Sequence, residues 1–385
     1  MRTARLVVSL VALIALATPP LQASAVEQRT IVMSGLNNPR GLNFGPNGAL
    51  YVAEAGRGGT QACFTGPDGG QEFAGRTGSI SRLWHGQQTR IVSGLASHAG
   101  AADFGATGPN DVVLRGAGRI YFTVGLGTNP ANRAACQPIA ADFGWLARAT
   151  PNGSWQKLVD VAAFEASANP DHGIVDSNPY GLLAEARSQS EDGTEDGDAD
   201  NDEAALPTVV TDAGGNSLLA IGRHGDVHTL ATFPSRALGE RNTDSVPTSV
   251  ARGPDGALYV GELTGFPFTP GTANVYRVAA NGTRTVFRSG FSFIVDIAFG
   301  PDGSLYVLQF ATQAGLSGPG ELWRVTPGGT RSLVAGGFIA PTSFAIGHDG
   351  AFYVVNCGVF PAGDRATDPP PCRAGGGGNV VRVKV

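Results

Sequence analysis

Four carboxylates recur at matching places in a repeated pattern, and side chains of this type can hold a hard cation or move protons. Glu54, Asp212 and Glu262 each end an apolar, strand-like run, and Asp111 opens another. Gathered around one axis they would form a carboxylate ring suited to Ca2+, which takes about six to eight oxygen ligands. A cation held there could be structural, or a Lewis acid for lactone or ester hydrolysis. Asn110, Asp176, Asn178, Tyr180 and Asn216 lie beside these positions and complete a candidate ligand-binding set. The same groups can instead cap loops, and Arg40, across a turn from Glu54, offers a salt-bridge partner.

Other chemistry-bearing residues are fewer. His98 and His172 fall between repeats, close in sequence to Asp103 and Asp171, and a His–Asp pair can serve as a general base. The chain contains no G-x-S-x-G elbow, no H-E-x-x-H and no Cys–His signature, so a covalent acyl intermediate has no nucleophile to point to. The acidic stretch Ser190–Glu203 places Asp192, Asp196, Gly197, Asp198, Asp200 and Glu203 at the spacing of an EF-hand loop. Thr194 takes the place of an acidic or amide ligand, and no amphipathic helices flank the stretch. Repulsion among like charges favours a solvated loop over a calcium site. Cys63, Cys136, Cys357 and Cys372 form no C-x-x-C pair, which argues for two disulfides rather than zinc. Cys357 and Cys372 share one segment, and Cys63 and Cys136 lie in neighbouring repeats; the other two pairings stay open.

What must position these groups is a repeat. Pro39–Glu54 (PRGLNFGPNGALYVAE), Pro247–Glu262 (PTSVARGPDGALYVGE) and Pro341–Asn356 (PTSFAIGHDGAFYVVN) are copies of one unit. Ile294–Gln309 lacks only the proline, Pro109–Val124 is looser, and a sixth copy starts at Pro179 and resumes at Leu206 after the insertion 184–206. Each copy reads as strand, tight turn, strand, with proline presetting φ and glycine supplying positive φ in the turn. Two further strand-like segments follow, as in Asn274–Val278 and Thr283–Arg288 around Asn281-Gly282. Four strands recurring every roughly 45–60 residues predict a six-bladed β-propeller of four-stranded antiparallel blades. The last unit lacks a fourth strand, and Arg29–Met33 is a spare strand ahead of the first. Their pairing would close the ring and remove an exposed edge.

Export is the expected address. Arg2 and Arg5, the apolar run Leu6–Ala17 and the small residues Ala23-Ser24-Ala25 read as a signal peptide over residues 1–25. Residues 26–385 would then form one secreted or periplasmic propeller, monomeric and without a membrane span. The 56 glycines and 25 prolines are dispersed as turn punctuation, which means many short strands rather than disorder. A net charge of −5 with no basic stripe excludes a nucleic-acid partner.

Taken together, Asn37–Gly59, Cys63–Gly70 (CFTGPDGG), Val175–Ala184 (VDSNPYGLLA), Thr211–Leu219 (TDAGGNSLL) and Val246–Phe268 resemble the ScyD/ScyE family. The resemblance implies an exported NHL-like propeller with no agreed enzymatic activity. The acidic insertion and the cysteine-containing loop of the last repeat depart from it.

Chain direction puts the short turns on one face. The long connections, Ala55–Thr77, Gly125–Gly144, Leu263–Ala273, Phe310–Gly320 and Cys357–Gly378, fall on the other. Long loops usually carry function, so the expected working surface is the long-loop face at the channel mouth. There the protein would bind a small molecule, polysaccharide or protein. The alternative is a metal-dependent hydrolase or lactonase of the gluconolactonase-like type; a quinone-dependent sugar dehydrogenase lacks a cofactor signature.

Overall fold

The computed structural model describes residues 27–385 except 67–68, 116–117, 185–207, 223, 239–240, 364–365 and 375. The expected signal peptide and the acidic stretch with Asp192, Asp196, Asp198, Asp200 and Glu203 lie outside the described residues. The chain forms six antiparallel sheets of blade type, arranged as a β-propeller, plus a small hairpin at Arg236–Thr243. From the channel outward, blade 2 runs Pro109–Arg115, Arg119–Val124, Trp145–Ala149 and Trp155–Asp160. Blade 1 carries an extra short strand, Gln61–Thr65, at its edge.

The short turns form for the reason their sequence suggests. The Gly45 N–H donates to the Ala49 carbonyl, Gly48 adopts φ +78°, and the Asn47 side chain accepts from the Ala49 N–H. Gly253–Ala257, Gly300–Ser304 and Gly347–Ala351 repeat that geometry with aspartate in place of asparagine. Behind the turns, apolar side chains from adjacent blades interleave. Val112, Ile120 and Phe122 of blade 2 pack on Tyr51, Ala53 and Ile80 of blade 1.

The ring closes as expected. Gln28–Leu36 pairs antiparallel with Gly378–Lys384, from Gln28 opposite Lys384 to Leu36 opposite Gly378. The N-terminal strand thus becomes the outer strand of blade 6. Both expected disulfides are present. Cys63–Cys136 joins blade 1's extra strand to the long loop of blade 2, and Cys357–Cys372 closes a span of 15 within blade 6. Among the described residues, no helix is long and apolar enough to cross a membrane.

Two measurements check this closure. Removing residues 28–36 should lower the melting temperature of the whole ring in a single cooperative step, because it bares the edge of Gly378–Lys384. The pair Cys357→Ser and Cys372→Ser should cost about 3 kcal/mol in urea unfolding, the loop entropy of a span this short.

Candidate functional site

Five of the six inner strands begin with the same distortion. Register shifts follow Pro39, Pro109, Pro179, Pro247 and Ile294, and the sixth inner strand pairs regularly only from Ser343. Such bulges re-aim side chains, and here they turn the next residues toward the neighbouring blade. Asn110 Nδ2 donates to the Pro179 carbonyl at 2.9 Å, Thr248 Oγ1 to Ile294 at 2.7 Å, and Thr342 Oγ1 to Pro39 at 2.9 Å. One residue on, Asp111 accepts from the Leu182 N–H at 2.8 Å and Asp296 from the Phe344 N–H at 2.9 Å. Where glycine replaces these side chains, the strands close in. A Cβ on Gly41 would fall 2.7 Å from Asp111 Cα, and one on Gly181 2.7 Å from the Thr248 oxygen.

The inner strands enclose a cavity of about 560 Å³, lined among others by Asn110, Asp111, Tyr180, Thr248, Ser249 and Asp296. Its long-loop end is closed. Arg40, only 7% exposed, donates to the carbonyls of Gly358 and Ala106, and Asn38 binds Gly56, Asp103 and Gly105. Toward the short-turn end the lining changes to Phe44, Leu114, Ala184, Phe299 and Ile346, all partly exposed, and the exposed Arg252. The cavity therefore faces the short-turn side, with a polar floor and apolar walls. This reverses the expected face of access. Short turns leave that end uncovered, whereas the long loops fold inward and bond to one another.

The floor has perturbed acidity. Burial pushes the Asp111 carboxyl well above its usual range, and the Asp296 charge adds to the effect. Asp296 itself rises to about 6, mainly by burial, against hydrogen bonds from Ser343, Phe344 and Ile297. Burial also raises the Tyr180 hydroxyl; the Asp111 and Asp296 fields act in the same direction and Arg40 in the opposite one. Ser249 Oγ is buried there without a partner. Such a floor can accept hydrogen bonds from a bound hydroxyl or amine and can exchange a proton near neutral pH.

Of the residues expected from sequence, the cavity gathers Asn110, Asp111 and Tyr180 and leaves the others out. Glu54, Asp212 and Glu262 form no ring with Asp111. Each is fully buried inside its own blade and ties down the segment entering that blade's inner strand. Glu54 accepts from the Asn37 N–H and pairs with Arg90, not with Arg40. Glu262 pairs with Arg236 and accepts from Ser245, Asn274 and Tyr276. Asp212 accepts from Ser177, Asn178 and Gly215. Gln309 and Asn356, at the same position of their blades, accept from the Ser292 and Ile339 N–H groups. The recurrence is architectural: five of the six blades carry this latch, and blade 2 has Val124 in its place. Among the described residues, no three or more His, Cys, Asp or Glu side chains converge to hold a metal ion, so the expected Ca2+ ring does not fit.

The remaining candidates are dispersed. Asn178 Oδ1 lies 3.2 Å from Asn110 Nδ2, and Asn216 bridges Asp171 and the Val246 N–H. His98 is not in a surface connection. It is buried in the outer strand of blade 1, bonded to Glu72 and the Leu126 carbonyl between Phe64 and Phe143. Asp103 pairs with Arg57 instead, while His172 is exposed. Asp296 was legible only as the residue matching Asp111 in another copy of the repeat. Glu165, 1% exposed on the helix Val161–Ala168, had no sequence signal at all.

No protein-family model and no curated protein matches the chain. Solved structures do. A structural genomics protein of unknown function from Bacteroides thetaiotaomicron superposes with a TM-score of 0.53 at 9% identity, covering 93% of this chain and 76% of that one. A luciferin-regenerating enzyme gives 0.50 at 12%, covering 93% and 95%. The calcium-binding protein regucalcin from Agrobacterium tumefaciens gives 0.49 at 12%, covering 92% and 94%. At these identities the likeness is one of fold.

Glu54→Gln and Glu262→Gln should each destabilise the protein by about 2 kcal/mol in urea, since each replaces a buried carboxylate that accepts charge-assisted hydrogen bonds from an arginine nearer the surface. Folding raises the Asp296 carboxyl from 3.8 to about 6, so its contribution is fully present below pH 3.8 and lost as pH rises through about 6. Asp296→Asn cannot ionise, so its melting temperature relative to the wild type should climb across that interval.

Proposed function

We propose that this protein is an exported propeller of the ScyD/ScyE type that binds a small molecule in its central channel, entered from the short-turn side. The observation that carries this reading is the cavity of about 560 Å³ with Asp111, Asp296, Tyr180 and Ser249 on its floor and apolar residues at its rim. Ligand sites commonly measure about 300–1,000 Å³ and combine mostly apolar walls with a few placed polar groups. A floor of acceptors suits a ligand that donates, so the ligand class is polyhydroxylated with an apolar body. Two disulfides agree with an oxidising compartment, and the charged, apolar, small-residue order of residues 1–25 agrees with export.

A second reading has one specific observation in its favour. A carboxyl raised to about 6, as at Asp296, is suited to general base catalysis near neutrality, which would make the channel the site of a hydrolase or lactonase. It needs no metal from this chain's own residues, and it shares its floor with the binding reading.

Calorimetric titration with octyl glucoside, beside a hydrolysis assay on gluconolactone, separates the two. Binding weakened tenfold or more by Asp111→Asn and by Tyr180→Phe, without turnover, is the expected result. Turnover abolished by Asp296→Asn would favour the hydrolase. Binding that none of the three substitutions alters would remove the channel as the site.

A further inference from the structure

The connection from blade 2 to blade 3 holds a second set of carboxylates, and the channel does not use them. Glu165 is 1% exposed, on the inner side of the helix Val161–Ala168, and its Oε1 has no hydrogen-bond partner. Asp176 Oδ1 and Ser217 Oγ are also buried and unpartnered, as is Asn169 Oδ1 at the helix's C-cap. Ser217 lies directly opposite Asp212 across two paired strands, so the two side chains share a face. The field of Asp212 reaches both Glu165 and Asp176.

The turn between those strands is built around this space. A Cβ on Gly214 would lie 2.9 Å from Asp176 Oδ1, and one on Gly215 only 2.5 Å from Glu165 Oε2. A side chain at either glycine would crowd into the space beside these two carboxylates. Asp212 is committed to Ser177, Asn178 and Gly215, and Asp171 to the Gly173 N–H and Asn216. Two carboxylates, Glu165 and Asp176, keep free oxygens. Among the described residues none of the four forms an ion pair, so no described cation balances them. Burial, then the fields of Asp212, Asp171 and Asp176, push Glu165 up to about 8. Buried oxygens without partners are rare, and several at one point call for a shared one.

We propose that Glu165 and Asp176, with the Ser217 hydroxyl beside them, form a site for a single hard divalent cation of the calcium class, which pins the helix to the D-A-G-G-N turn. Two carboxylates supplemented by neutral oxygens and water suit such an ion. None of these residues lines the channel cavity, so the site is separate from the proposed binding function.

The test uses the full chain, stripped with EDTA and then melted with and without calcium chloride. Saturating calcium should raise the melting temperature by about 5 °C, as mass action predicts for an ion well above its dissociation constant. Glu165→Gln and Asp176→Asn should abolish that rise, and Asp111→Asn in the channel should keep it. No rise in the wild type overturns the proposal. So does a rise that survives both substitutions, since the ion would then sit elsewhere, as in Asp192–Glu203. If Glu165→Gln does not fold, equilibrium dialysis of Asp176→Asn against calcium decides. Loss of one bound ion per chain supports the site, and unchanged stoichiometry overturns it.

Discussion

The ring depends on hydrogen bonds made at the first two or three residues of each inner strand. There the blades are closest, and their backbones carry carbonyls and N–H groups that no strand within the blade can satisfy. Buried groups of this kind must find partners. Asn110, Thr248 and Thr342 reach the opening carbonyl of the next blade, and Asp111 and Asp296 reach the third N–H along. Where Gly41 and Gly181 stand instead, backbone contact replaces the side-chain bond. Apolar packing between blades supplies bulk cohesion, but these contacts set how the blades meet.

That constraint explains why the channel is both structural and chemically unusual. Asp111 and Asp296 occupy matching positions in blades 2 and 5, so a six-fold arrangement sets them on opposite sides of the axis. Each is held by backbone donors, yet each is buried enough for its acidity to weaken. Groups fixed in this way cannot swing out to solvent, so the cavity keeps its polar floor whatever enters it. The long-loop face has the opposite character. Its connections bond inward through Arg40, Asn38 and Arg57, and two disulfides staple those loops.

Much of the fold was legible because a repeat states its own period. The G-P-[ND]-G turns, the missing fourth strand and the spare first one read directly as closure, and the cysteine spacing agreed with both disulfides. The site was less legible for a related reason. A carboxylate that recurs at one position in three of six copies reads equally well as chemistry or as architecture. Glu54 and Glu262 proved to be latches, with arginines that stand 36 and 26 residues away in sequence. Asp111 looked the same on paper and lines the cavity.

Local sequence by itself determined the strands, the turns, the blade count and the order of the chain around the ring, because those depend on spacings of a few residues and on a period. Only the tertiary structure decided which end of the channel is open, which carboxylates have partners and that Glu165 is buried beside Asp176. Those outcomes turn on contacts between blades and between loops far apart in the chain. Burial and opposite charge are properties of that assembled neighbourhood, and no spacing within one repeat encodes them.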